Sequence, residues 1–389
     1  MHKARQQIHG YNSSSKDYIY MHHVCLEYCI EQKIIEKSDK YDRWCEDFTT
    51  QLVKPFQPII KYINDLLDKG YEPIRKEFDE AKVKYTEDMF ASDVRPRECR
   101  NRNVLKNGIF LLSSRQKRRG KFYCIDANYV DKKTILTQIP SANITINECK
   151  GMINDFWMMI EQSHCENIIQ LDCGEATRLD WMPTEGKPFE DKDIKVEMTK
   201  LGVIDGCINV ARLTFNSGDT EDRYINLYTW SGWTYKNIPQ GASSPVGKIF
   251  EMLEGYGTPT VVQCPDGAMN SGAFAYWGLL LRAIRRGRPV EGVLKSVREH
   301  RYMAASYLTG VLFARHDIMT YHLTNNEIIN HAVGRMDDRK KLADKYGKMM
   351  EEAMKEVAAE EERKEQERII KSRLEREKAE EAEKKKEKK

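Results

Sequence analysis

Apolar positions along this chain change their spacing several times, and each change marks a different kind of element. Over residues 41–92 they recur three or four apart, as in KPFQPIIKYINDLLDKGYEPIRKEFDEA (54–81). That spacing lines one face of a helix. Gly70 interrupts the run, and a second helix is predicted from Glu72–Pro73, where proline's missing N–H costs nothing in a first turn. Further on, GIFLLSS (108–114) and KFYCIDA (121–127) flank the polar turn RQKRRG, and INVARLTF and RYINLYTW (223–230) alternate. Both pairs read as strands, the first as a hairpin. TPTVVQ (258–263) is a buried type of strand that runs through a loop into the apolar AFAYWGLLLRAI (273–284). Strand, loop and helix in that order indicate an α/β arrangement.

The last segment differs. Residues 335–389 are rich in Glu, Lys, Arg and Ala, with a thin apolar seam of Leu342, Tyr346, Met349, Met350, Met354 and Val357. The seam fades after Ala359, apart from Ile369, Ile370 and Leu374. This predicts a solvated helix held by i,i+4 ion pairs and fraying into a charged tail. A coiled coil, with self-association through residues 340–376, is the alternative; clean heptads are too few to favour it. The chain thus divides into a polar extension (1–40), a domain (41–330) and a charged helical or low-complexity tail (331–389).

Composition narrows the function. The net charge of +3 over 389 residues makes the molecule no polycation, and basic residues do not interleave with aromatics as in nucleic-acid modules. Local basic clusters remain at Arg115, Lys117, Arg118, Arg119, Lys121 and at Arg282, Arg285, Arg286, Arg288, read as solvated turns or helix ends, with docking of an acidic or phosphorylated partner as the alternative. No run of 18 apolar residues occurs, so no membrane span is expected. The start lacks the apolar core of a signal peptide. The ten cysteines form no CxxC array, which predicts reduced thiols, no metal site and a cytoplasmic protein. Nothing calls for a cofactor.

Residues 260–272, TVVQCPDGAMNSG, carry the chemistry. An apolar strand ends in a cysteine, followed by a tight glycine-containing loop and a helix start. Backbone N–H groups of such a loop converge on an anion, and a cysteine there is placed to act as a thiolate nucleophile.

This segment resembles the signature loop of the protein tyrosine phosphatases: strand, His-Cys, five residues, Arg, Ser/Thr, Gly. Gln263 stands at the histidine, Cys264 at the nucleophile, Gly267 and Met269 at two loop glycines, Asn270 at the arginine, and Ser271–Gly272 at the close. IDANYVD (125–131) resembles the family's INANYVD, and residues 136–171 resemble its TQGPL…DFW run. WTYKNIP (233–239) falls where the family has its mobile WPDxGVP loop. The resemblance spans roughly residues 45–325. It implies a single phosphatase-type domain with a highly twisted mixed β-sheet flanked by helices.

The matches are framework residues, whereas the mismatches fall on chemistry. Asn270 replaces an arginine that forks onto phosphate; losing such stabilisation costs on the order of 10²–10³ in rate. Asp266 places a carboxylate two residues past the cysteine, where it repels both phosphate and thiolate. Met269 adds a side chain where glycine allows close approach. Tyr235 occupies the general-acid position, and losing general-acid help costs a further factor of about 10²–10⁴. The family's catalytic glutamines are absent, with Ser306 and Gly310 nearest. Its phosphotyrosine-recognition loop is reduced to Asn101, Arg102, Asn103.

These departures imply a pseudophosphatase: a binding or scaffold module in phosphotyrosine signalling, with protein partners such as a tyrosine kinase segment or its substrate. Its candidate binding surface is Gln263, Cys264, Asp266, Gly267, Asn270, Ser271 and Asn101–Asn103. The alternative is a weakly active phosphatase using Cys264.

Overall fold

The structure, a computed structural model, describes residues 24–89, 108–112, 122–140, 146–171, 182–191, 194–218, 221–230, 232–233 and 245–387. Helices α1 (Asp39–Val53), α2 (Gln57–Lys69) and α3 (Glu72–Glu80) lead in. Gly70 ends α2 at φ 69°, and Pro73 sits in the first turn of α3, as the spacing predicted. The helical pattern stops earlier than residue 92: only the short 3₁₀ turn Glu87–Met89 follows α3 among the described residues of that stretch.

Among the described residues the strands form a nine-stranded mixed sheet in the order β1-β2-β3-β9-β4-β8-β7-β6-β5. The strands are β1 (Gly108–Leu112), β2 (Phe122–Asp131), β3 (Thr134–Gln138), β4 (Asn167–Leu171), β5 (Phe189–Asp191), β6 (Ile194–Ile204), β7 (Ile208–Ser217), β8 (Arg223–Trp230) and β9 (Thr260–Cys264). β1 and β2 pair antiparallel, with Phe110 opposite Cys124, and β7 pairs β8 the same way. The turn between β1 and β2 lies outside the described residues. β3, β9, β4 and β8 run parallel at the centre. β6 was not singled out from sequence, although its Ile194, Val196 and Met198 alternate with polar residues.

The central strands are buried on both faces, so their successive side chains feed two cores. Ile135, Ile168 and Val261 point into a cluster with α4 (Ile146–Gln162), around Trp157. Leu136, Ile169 and Val262 point into a second cluster with α2, α3, α5 (Pro245–Glu254), α6 (Met269–Arg285), α7 (Val293–His300), α8 (Leu308–Asn325) and α9 (Glu327–Val333).

The final helix, α10 (Met336–Glu387), departs from the solvated helix expected from sequence. Leu342, Met350 and Ala353 are buried in the second cluster, with Tyr346, Met349 and Met354 packed beside them, and Val357 is buried one turn further on. The Tyr346 ring stacks on His316 of α8 at 3.9 Å and 9°. A seam too short for a coiled coil is long enough to dock on a preformed apolar face. The distal Ile369, Ile370 and Leu374 are exposed, as the fading pattern implied. Among the described residues no helix is long and apolar enough to cross a membrane, and no cluster of three or more metal-ligating side chains is present.

Candidate functional site

Cys264 ends the central parallel strand β9, and α6 begins five residues later. The carboxyl ends of parallel strands are where open α/β sheets place their ligands. Gly267 adopts φ 67° in the intervening loop, and a Cβ there would lie 2.4 Å from the Gln138 nitrogen and 2.6 Å from Arg301 Nη2. Only glycine combines that backbone conformation with that close approach.

The loop is held from outside. Arg301 Nε donates to the Gly267 carbonyl at 2.9 Å and Nη1 to Asn128 at 2.8 Å, while the guanidinium pairs with Asp126 at 2.6 Å. All three side chains are buried. Burial pushes the Asp126 carboxyl up against the pull of Arg301. The Ala305 N–H donates to the Ala268 carbonyl at 3.1 Å. There the backbone of α6 passes so close that a Cβ on Gly272 would meet the Ala305 nitrogen at 2.4 Å.

Inside this frame the anion seat is already filled. Asp266 Oδ1 accepts the N–H groups of Ala268 (2.9 Å) and Met269 (3.0 Å), the first donors of the α6 N-terminus. The Cys264 thiol lies 3.0 Å from the same oxygen and 3.1 Å from Ser271 Oγ, and the Ser271 N–H donates to its sulfur at 3.4 Å. Burial, and then the Asp266 carboxylate, push the thiol far above its ordinary range. A cysteine beside a helix N-terminus normally shifts the other way.

The remaining loop residues face inward. Gln263 is fully buried and donates to Gln170 Oε1 at 3.1 Å. Asn270 is buried, and its amide donates to the Trp233 carbonyl at 3.2 Å. Trp233 packs edge-on to Trp230 and Phe313. Trp233, Met269, Asn270, Tyr307, Thr309 and Gly310 line a cleft of about 10 Å³, room for about one water. A larger cavity of about 630 Å³ lies between α2, α3 and the α6–α7 turn and shares no lining residue with the loop.

The structure thus brings Gln263, Cys264, Asp266, Gly267, Asn270, Ser271 and Gly310 together. Tyr235, Asn101, Arg102, Asn103 and the Arg115–Lys121 cluster lie outside the described residues. In the second basic cluster Arg282 pairs with Asp131 at 2.6 Å and Arg285 with Glu254. Sequence reasoning missed Arg301, Asp126 and Tyr307. Asp126 lies in the IDANYVD motif and was legible there as framework, but nothing local marked Arg301 or Tyr307.

The protein-tyrosine phosphatase profile matches residues 95–319. Among solved structures the chain is similar to PTPN18 in complex with HER2 phosphopeptides, with a TM-score of 0.57 at 16% identity over 67% of this chain and 98% of that one. It is also similar to the catalytic domain of human protein tyrosine phosphatase non-receptor type 18, with a TM-score of 0.52 at 18% identity over 66% and 95%. At these identities the likeness is one of fold.

Proposed function

Because the chain belongs to the protein-tyrosine phosphatase family, we propose that it keeps the scaffold of that class as a binding surface and has given up the hydrolysis. It acts as a scaffold or regulatory module in phosphotyrosine signalling in the cytoplasm. Its partners are protein segments, from a tyrosine kinase or a kinase substrate.

The observation that carries this reading is Asp266 in the anion seat. Cysteine-based phosphate transfer needs a thiolate and a set of donors free to take phosphate oxygens. Here one carboxylate oxygen takes the Ala268 and Met269 donors and also faces the thiol. Its charge opposes both a thiolate and a phosphate dianion. Asn270, at the position of the family's phosphate-gripping arginine, is neutral and turned to the Trp233 carbonyl. Partner recognition therefore rests on surfaces around the loop rather than on a phosphate within it.

The test is turnover of a phosphotyrosine peptide by the purified full-length chain. The expected rate equals that of a Cys264→Ser variant. A rate tenfold higher that disappears in Cys264→Ser would establish the weakly active phosphatase instead.

A further inference from the structure

Tyr307 lines the same cleft as Asn270, and its hydroxyl donates to Glu361 of α10. Lys364 completes the contact. Its ammonium lies 3.5 Å from the Tyr307 oxygen, 5.5 Å from the ring centroid, 3.2 Å from Glu361 and 2.9 Å from Glu360. Burial, and then Glu361, hold the Tyr307 hydroxyl above the usual tyrosine range, so it remains a donor.

The helix arrives at Tyr307 in two mechanically different parts. Its proximal part packs into the core from Leu342 to Met354, and Val357 is the last buried apolar side chain. The next turn is held by partly exposed polar contacts, with Glu360, Glu361 and Lys364 side chains 42%, 25% and 32% exposed. Ala358 and Ala359, both exposed, separate the two parts. Exposed ion pairs are weak and screened by salt, whereas the apolar seam is not. One helix therefore has a firm root and a loosely held segment lying against Tyr307, one of the residues that line the cleft.

We propose that residues 358–366 of α10 are a cap that the chain places over its own degenerate cleft, with Tyr307 and Glu361 as the clasp. A partner segment reaches the Met269–Tyr307 edge of the cleft only after the cap lifts away beyond Val357. The proposal rests on the reading of that cleft as a binding surface. It adds that access to the surface is controlled in cis.

The test uses the full chain and its Glu361→Lys and Tyr307→Phe variants. Amide exchange is followed along α10, and a soluble nitroxide reports solvent access at the Met269 methyl group. Both variants should exchange at least tenfold faster over 358–368, with 342–354 unchanged. Relaxation of the Met269 methyl should rise several-fold, while that of the already exposed Met303 stays constant. One molar salt should produce the same changes in the unmodified chain. Unchanged exchange over 358–368 together with unchanged Met269 access would overturn the cap. Equal acceleration over 342–354 would overturn the division at Val357. Phosphatase turnover appearing in Glu361→Lys would overturn the silent-site reading and leave the cap standing.

Discussion

Cys264 Sγ lies 3.0 Å from Asp266 Oδ1, and that oxygen also accepts two backbone N–H groups at the start of α6. A residue of the loop thus plays the part of the loop's ligand. Asp266→Ala should empty the seat and leave the scaffold intact. Inorganic phosphate should then raise the melting temperature of the variant and not of the unmodified chain. Iodoacetamide should alkylate Cys264 faster in the variant, because the carboxylate that helps hold the thiol high is gone. Equal phosphate stabilisation of both proteins would contradict the assignment.

Gly267 carries the loop's geometry. Gly267→Ala forces a side chain into a left-handed backbone position and against Gln138 and Arg301. The cost should be about 3 kcal/mol, a fall in melting temperature of roughly 5–10 °C. An alanine variant as stable as the parent would mean the loop is not seated as described.

Two histidines of α8 make stability depend on acid. Burial lowers both His316 and His322 to about 4. A folded-state value below the unfolded one favours the fold above pH 6.5 and loses that advantage as pH falls toward 4. Burial raises the Glu77 and Asp126 carboxyls, which opposes the loss over the same range. Urea midpoints measured from pH 7 to 4.5 should fall, and the fall should be shallower in His322→Gln. Parallel curves for parent and variant would remove His322 from the account.

The root of α10 belongs to the domain core. Leu342→Ala and Met350→Ala, at side chains 3% and 2% exposed, should each cost about 2–4 kcal/mol. Leu374→Ala, on the exposed distal half, should stay within roughly 0.5 kcal/mol of the parent. Thermal melts of the three variants decide it, and equal small effects would return the whole helix to solvent.

Much of the scaffold was legible in the sequence because it is written in local periods. The break at Gly70, the β1–β2 pairing, the strands β7 and β8 and the β9–loop–α6 unit each follow from spacings within one or two elements. Side-chain chemistry was legible in the same way: a neutral Asn270 and an added carboxylate at Asp266 can be read without coordinates. Where that carboxylate goes could not be read. An aspartate in a turn can face solvent or fold back onto the N–H groups ahead of it, and only the loop's path around Gly267 decides. That path is set by Arg301, 34 residues away from Gly267. Likewise the seam from Leu342 to Val357 marks an apolar face without naming what covers it. The tertiary structure supplies the covering surface on α8, and so brings Glu361 to Tyr307 across 54 residues of sequence. Periodicity reports which side of an element is buried. The contacts that fill or cap a site join residues far apart in the chain, and the packed fold alone determines them.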